Sequence, residues 1–255
     1  VTRVVVLTGA GVSAESGLSV FRGADGLWEG HNVSDVATPQ AFAANPALVQ
    51  RFYNSRRRQL NDVEPNRAHL ALVRLEQALG AGFHLVTQNV DDLHQRAGSV
   101  SVTAMHGGLR QIRDTVTGEV RAWSEDLPEN QTRWRPHVVW FGESVIGLAR
   151  ITDMLSDTDL FVSIGTSGTV HPASRFASIA KGAGAVTVQI NVESAGGVFD
   201  RSLVGPATEQ VPRFVDGVLA RLEAGWVPAR RASSKNASMK SPLPEGSGFP
   251  TGCRC

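Results

Sequence analysis

The stretch VVVLTGAGVSA, Val4 to Ala14, decides how this chain is read. Val4 to Leu7 is a β-branched apolar run without polar alternation, the pattern of a strand buried on both faces. The next turn, Gly9-Ala10-Gly11-Val12-Ser13-Ala14, fits G-x-G-x-x-G/A. Its glycines permit a tight turn and let backbone amides approach a pyrophosphate where a helix begins. Such a turn is a nucleotide signal only when a strand precedes it, and here one does. The acid that ordinarily binds a ribose about 20 residues later has no clear counterpart, because Asp25 sits within the loop-like FRGADGLW. A dinucleotide would therefore not be held in the ordinary dehydrogenase manner.

Working outward, three more runs share the character of the first: Phe83 to Thr87, Leu160 to Ile164 and Val186 to Ile190. Helical signals lie between them. Asn45 before Pro46 marks a helix start, and the segment through Leu60 sets Leu48, Phe52 and Tyr53 at helical spacing. A second helix is predicted from about Asn66 to Leu79, stopped by Gly80. Strands alternating with helices predict an α/β fold, a doubly wound parallel sheet of Rossmann-like type with right-handed crossovers. The polar region from Gly108 to Arg135, with weak alternation in VTGEVRAW, reads as a hairpin-like excursion outside that sheet. A catalytic domain over 1–226 would then carry a smaller inserted lobe from about 29–64 and 107–137, with a flexible tail over 227–255 that lacks apolar periodicity.

Composition removes several classes of function. Across 255 residues, 25 basic and 24 acidic side chains cancel to +1, so no global positive field favours nucleic acid or an anionic membrane. No run reaches the roughly 20 apolar residues that cross a bilayer, and VTRVVVL is too short for a signal peptide. A cytoplasmic monomer is the expectation. The two cysteines, Cys253 and Cys255, stand in the last three residues, so neither a disulfide framework nor a four-ligand zinc site is expected.

Each strand ends in a polar loop: Thr8 to Gly11, Gln88-Asn89-Val90-Asp91, Gly165-Thr166-Ser167 and Asn191-Val192-Glu193. In a parallel sheet these loops emerge at one carboxyl edge, where doubly wound folds bind ligands. His106, between a short apolar stretch and two glycines, falls at another strand exit. Imidazole suits proton transfer near neutral pH, although a histidine considered singly is more often a structural hydrogen-bonder. His69, inside the second helix, reads as a packing or capping residue, and His31, His84, His94, His137 and His171 show no metal-ligand spacing.

Six blocks in order, GAGVSAESGLSVFRGADGLW (9–28), TQNVDDLH (87–94), MHG (105–107), RPHVVWFGE (135–143), GTS (165–167) and NVE (191–193), resemble the signatures of sirtuins, NAD-dependent protein deacylases. The resemblance runs to about Leu222 and is nearest the bacterial class III type. It implies that nicotinamide leaves the ribose, that the acyl-lysine oxygen attacks the anomeric carbon to give an alkylimidate, and that His106 acts as base on a ribose hydroxyl. The products are free lysine and O-acyl-ADP-ribose. Asn89 and Asp91 would order the ribose, a water and the carboxamide, and Gln88 would bond the ribose hydroxyls. Gly9, Ala10, Gly11, Ser13 and Arg22 would hold phosphates, with Phe21 over the reacting sugar. Gly165, Thr166, Ser167, Asn191, Val192, Glu193 and Ala207 would line the adenosine half. An acyl-lysine protein or peptide would add along an open strand edge over Val138 to Gly142, making Val139, Trp140 and Phe141 substrate-binding, while Val138 itself reads as core.

The resemblance also places Tyr53 and Arg56 in the acyl cavity. They stand three residues apart on one helix face, and a guanidinium with a phenol is a receptor for a carboxylate-tipped acyl chain. Succinyl- and malonyl-lysine are the implied substrates, beside acetyl-lysine. The competing reading is that Arg56, Arg57 and Arg58 form a solvated basic run. Sirtuins carry four zinc cysteines between the histidine and the RPHVVWFGE block, where this chain has Asp114-Thr115-Val116-Thr117 and Asn130-Gln131-Thr132-Arg133. Packing of Trp123, Leu127 and Trp134 would have to replace the metal. Two other functions fit the same motifs: a protein mono-ADP-ribosyltransferase, and an NAD-binding sensor without turnover.

Overall fold

A computed structural model describes residues 2–18, 27–28, 30–194 and 197–225. In chain order the strands are β1 (Val4–Thr8), β2 (Leu27–Trp28), β3 (His31–Asn32), β4 (Phe83–Thr87), β5 (Val102–Ala104), β6 (Gly107–Asp114), β7 (Val120–Ala122), β8 (Trp134–Val138), β9 (Leu160–Ile164), β10 (Val186–Asn191) and β11 (Arg201–Val204). The α-helices are α1 (Ala10–Ala14), α2 (Val33–Val36), α3 (Pro39–Ala44), α4 (Pro46–Gln59), α5 (Arg67–Leu79), α6 (Leu93–Ala97), α7 (Leu148–Ser156), α8 (Phe176–Gly182) and α9 (Ala207–Glu223).

The opening apolar run is central in the sheet. β1 pairs in parallel with β4 on one side and β9 on the other, in the order β11-β10-β9-β1-β4-β5. Val4 and Val6 join one core with α5 and α9, while Val5 and Leu7 join a second core with α7 and α8. That two-sided burial is why the run shows no alternation, and each such side chain contributes roughly 2 kcal/mol. The doubly wound parallel sheet expected from the pattern is therefore present, and its strand order reverses at β1.

Local signals set the helix starts. Asn45 Oδ1 accepts from the Leu48 amide at 3.0 Å with Pro46 at the first turn of α4. Asn66 caps α5 reciprocally, its side chain accepting from the helix and its own amide donating to His69 Nδ1 at 3.2 Å. His69 is thus a capping residue, as its position suggested.

The excursion after His106 is a separate antiparallel sheet, β7-β6-β8. It shares a third core with α2, α3 and α4, in which Phe42, Val49, Phe52, Tyr53, Leu109 and Trp140 are buried. Among the described residues no helix is long and apolar enough to cross a membrane. The tail expected over 227–255 lies outside the described residues.

Candidate active site

The reversal of strand order opens a crevice between the carboxyl ends of β1 and β9. Three glycines close it tightly. The Gly11 amide donates to Gly165 O at 2.8 Å and the Gly9 amide to Ile164 O at 3.0 Å. A Cβ on Gly9 would lie 2.8 Å from Gly165 O, and one on Gly11 would lie 2.7 Å from Gly165 Cα. Gly165 itself has φ +59°, with its virtual Cβ 2.5 Å from the Val12 amide nitrogen. Any side chain there would force the two loops apart.

Above these glycines lies a cleft of about 440 Å³. Gly9, Ala10, Gly11 and Ser13 line it, together with Gln88, Asn89, Asp91 and His106, and with Gly165, Thr166, Ser167, Asn191 and Val192 from the far side. The four polar strand ends do converge. Gln88 Nε2 donates to Thr166 Oγ1 at 3.1 Å, and Asn191 Nδ2 to Thr166 O at 3.1 Å, tying β4, β9 and β10 at their ends. Glu193 is not part of the lining. Ala207 is buried at the first turn of α9, in the same core cluster as Val12 behind the glycine turn. Phe21 and Arg22 lie outside the described residues.

His106 meets Gln88 O through Nδ1 at 2.9 Å. A carbonyl can only accept, so the ring proton sits on Nδ1 and Nε2 carries the lone pair. Burial lowers the affinity of this imidazole for a second proton and outweighs the opposing Gln88 bond. The ring is consequently neutral near pH 7, with a basic nitrogen in the cleft wall. Asn89 Nδ2 donates to Ser13 Oγ at 3.0 Å, and Ser13 bonds the Asp91 carboxylate. Burial raises the Asp91 pKa against the Leu93 amide bond. That 3.1 Å bond ties Asp91 to the first residue of α6, although the N-cap position itself is Asp92, whose side chain makes no capping bond.

The same cleft reaches into the antiparallel lobe. Tyr53 and Arg56 line it, both buried, at 0% and 6% exposure. Arg57 is buried too, donating to Leu109 O and to Asn54 Oδ1 at 2.9 Å each. Of the three consecutive arginines only Arg58 is exposed, which removes the solvated-run reading. Trp140 Nε1 donates to Tyr53 Oη at 2.8 Å, and the Arg135 guanidinium stacks on the indole 3.2 Å from its centroid. Glu143 binds Arg135 twice, at 2.7 and 2.9 Å, and takes the Trp140 amide at 2.8 Å. Burial pushes Glu143 up, but these bonds overcome it and hold the carboxyl below its ordinary range.

Val138 to Gly142 is not the open strand edge that its pattern led us to expect, because β8 ends at Val138. The next three amides are spent within the chain: Val139 on His106 O, Trp140 on Glu143, and Phe141 on Ala37 O. Val139, Trp140 and Phe141 still line the cleft, through side chains and carbonyls and not through a row of free amides. Glu143, four residues beyond Val139, captures the Trp140 amide, a turn that the apolar pattern did not reveal.

Where zinc cysteines would fall, a polar bridge joins the two segments. Asp114 Oδ1 accepts from the Val116 and Thr117 amides at 2.8 and 3.1 Å, and Oδ2 from Arg133 Nε at 2.8 Å. The Arg133 bond, with the two amides, holds the Asp114 carboxyl at about 2. The Thr115 amide donates to Arg133 O at 2.7 Å. Leu127 is buried against α4, its amide and carbonyl both bonded to Asn54, and Arg121 stacks on Trp134 at 4.7 Å. Among the described residues no group of three or more His, Cys, Asp or Glu is arranged to hold a metal ion.

Comparison with known proteins accords with this geometry. A family model described as the Sir2 family matches residues 9–172. The NAD-dependent protein deacylase of Salmonella typhimurium strain LT2 is 52% identical over 232 residues, covering 86% of this chain and 85% of that protein. The crystal structure of a Sir2 homologue in complex with NAD superposes with a TM-score of 0.79 at 37% identity, covering 86% of this chain and 90% of that one. A Sir2 protein bound to a myristoylated histone peptide superposes with a TM-score of 0.68 at 30% identity, covering 88% and 93%. With the family pattern spanning the glycine turn, the Gln88-Asn89-Asp91 loop and His106, the chain belongs to the Sir2 family.

Proposed function

We propose that this chain is an NAD-dependent protein-lysine deacylase that releases nicotinamide and O-acyl-ADP-ribose, and that it removes succinyl and malonyl groups as well as acetyl. The observation that carries the reading is the His106 Nδ1 to Gln88 O bond of 2.9 Å, which leaves a neutral Nε2 as a base in the cleft shared with Asn89 and Asp91. The Salmonella deacylase and the two Sir2 complexes support the NAD dependence and the acylated-peptide substrate.

The donor set fits NAD. Small glycine-rich turns leave room for phosphates, and the amides and carboxylate of Gln88, Asn89 and Asp91 suit ribose hydroxyls and a carboxamide. NAD, when bound, supplies the ribosyl centre to which the acyl oxygen is transferred. His106 would take a hydroxyl proton at Nε2, its tautomer held by Gln88. Asn89 and Asp91, linked through Ser13, would hold the sugar and its leaving group in register. In the lobe, Arg56 and Tyr53 would receive the distal carboxylate of a dicarboxylic acyl chain. The antiparallel lobe would stand without a structural metal, its two segments joined by Asp114 and Arg133 instead.

The deciding experiment is mass-spectrometric detection of O-acyl-ADP-ribose from acetyl-, malonyl- and succinyl-lysine peptides, wild type against His106→Ala. The wild type should form the product and the variant should not. Label from NAD appearing on protein without O-acyl-ADP-ribose would establish a transferase instead.

A further inference from the structure

Two imidazoles face each other beneath the cleft. His69, in the first turn of α5, and His94, on α6, are 0% and 1% exposed with ring centroids 4.8 Å apart. Neither belongs to the cleft lining, yet their hydrogen bonds have a definite direction. His69 Nδ1 accepts from the Asn66 amide, so a neutral ring must carry its proton on Nε2. Thr8 donates its only hydroxyl proton to Thr87 Oγ1 at 2.8 Å. Thr8 Oγ1 therefore accepts from His94 Nε2, 2.9 Å away, and His94 keeps a bare Nδ1.

The two remaining ring atoms are complementary. His69 Nε2 is an N–H donor and His94 Nδ1 a lone-pair acceptor; both are buried, and neither has a hydrogen-bond partner among the described residues. A buried donor beside a buried acceptor in neighbouring rings is satisfied by one water bridging them. Beyond Thr87 the chain of bonds continues into the site. Thr87 Oγ1 accepts the Asn89 amide at 3.0 Å, Asn89 donates to Ser13, and Ser13 bonds Asp91.

We infer that His69 and His94 form a one-directional imidazole pair, each donating through Nε2, which acts through Thr8 and Thr87 as a positioning device for Asn89 at the dinucleotide end of the cleft. The pair ties four elements, α5, α6, β1 and β4, to one backbone amide. An ionised carboxylate or a metal at the same place would not do this, because a neutral imidazole accepts at one ring nitrogen and donates at the other. Burial lowers the pKa of His69 to about 4 and, with His69 beside it, that of His94 to about 3, which keeps both rings in the neutral form the relay needs. Its functional half rests on the deacylase reading; its structural half does not.

Two measurements separate these halves. On histidine-labelled protein, two-bond nitrogen–proton correlation should show both rings as neutral Nε2–H tautomers with no titration between about pH 5 and 8. An Nδ1–H tautomer at either ring, or a charged ring at pH 7, overturns the inference whatever the activity. In steady-state deacylation, His94→Leu should raise KM for NAD about tenfold, the worth of one neutral hydrogen bond, with a smaller change in KM for the acyl-peptide. His94→Gln, which returns an amide donor near the position of Nε2, should recover most of it. Folded Leu and Gln variants with equal NAD KM, or an equal loss toward both substrates, would reduce the pair to packing. A wild type without NAD-dependent turnover would instead remove the deacylase reading and leave the tautomer test standing.

Discussion

Trp140 donates its indole N–H to the Tyr53 hydroxyl across 2.8 Å in the wall of the cleft, with neither side chain more than 2% exposed. Indole nitrogen is only a donor, so the phenol oxygen is engaged as an acceptor and its own hydrogen is what it offers onward. Arg135 over the ring and Glu143 on the backbone fix the indole from two further directions. Trp140→Phe keeps an aromatic ring and removes the donor. The ratio of desuccinylation to deacetylation, as kcat/KM, should fall about five- to tenfold, the worth of roughly 1 kcal/mol. An unchanged ratio in a folded variant would separate Trp140 from acyl selection.

The acid limb of the pH profile should lie below the ordinary histidine value of about 6.5. Burial lowers the His106 pKa, so the basic form persists to lower pH than in an exposed imidazole. With His106 as the proposed base, activity would require the neutral ring, and kcat/KM should therefore be flat from neutral pH downward until protonation begins, then fall. The profile is measured between about pH 4.5 and 8. A limb centred at or above pH 7 would contradict this environment.

Gly165 is a position in the cleft floor where a methyl group is costly. Its φ of +59° disfavours an L side chain, and the added Cβ would meet the Val12 nitrogen at 2.5 Å and Gly11 carbonyl carbon at 2.7 Å. Strain and overlap together predict a loss of about 2 kcal/mol or more for Gly165→Ala. Thermal unfolding should show a clear drop in Tm, accompanied by weaker NAD binding. By contrast Gly182→Ala, with open space around its Cβ on helix α8, should leave Tm near wild type.

The Asp114–Arg133 bridge makes stability of the lobe depend on a carboxylate. Its folded pKa, held at about 2, lies below the unfolded value of about 3.9. The contribution is therefore fully present above the unfolded pKa and is lost as pH falls through the folded one. Asp114→Asn should lower Tm at pH 7 and reduce the difference between pH 5 and pH 3. A strong chelator should leave wild-type Tm and activity unchanged, whereas a fall on chelation would show that a metal holds the lobe.

How far such features were legible depends on where their information lies in the chain. β1, β4, β9 and β10 are local runs buried on both faces, so composition over five or six residues identifies them. β11, RSLV, is a mostly exposed edge strand paired to β10, and its single apolar pair, Leu203 and Val204, is too short a run to mark a strand. In α9, Pro212 interrupts an amphipathic helix, and its stability comes from packing on α5 and the sheet. The site loops were legible as polar strand ends, and His106 as a glycine-flanked exit. His94 was not, because its partner Thr8 stands 86 positions away and a single histidine has no spacing to read. Asp114 and Arg133 likewise read as absent cysteines until folding made them a pair.

Arg56 is the sharpest test of acyl preference. It is buried on α4 beside Tyr53, a place where an arginine side chain is costly unless its charge is used. Its neighbour Arg57 is already committed to Leu109 O and Asn54, and burial lowers the Arg57 pKa to about 10. Within the run, Arg56 is the guanidinium that lines the cleft. A carboxylate received there would gain charge-assisted hydrogen bonds of roughly 1.5 to 3 kcal/mol. Arg56→Met preserves length and apolar contact while removing that charge. Desuccinylation should drop about 10- to 150-fold in kcat/KM, mostly through KM because the bond is made in the ground state as well as the transition state. Arg56→Lys should restore only part of it, since an ammonium cannot form the paired contact. Desuccinylation that survives intact in Arg56→Met would place the acyl carboxylate elsewhere, and equal losses for acetyl and succinyl peptides would assign Arg56 to the framework of the lobe instead.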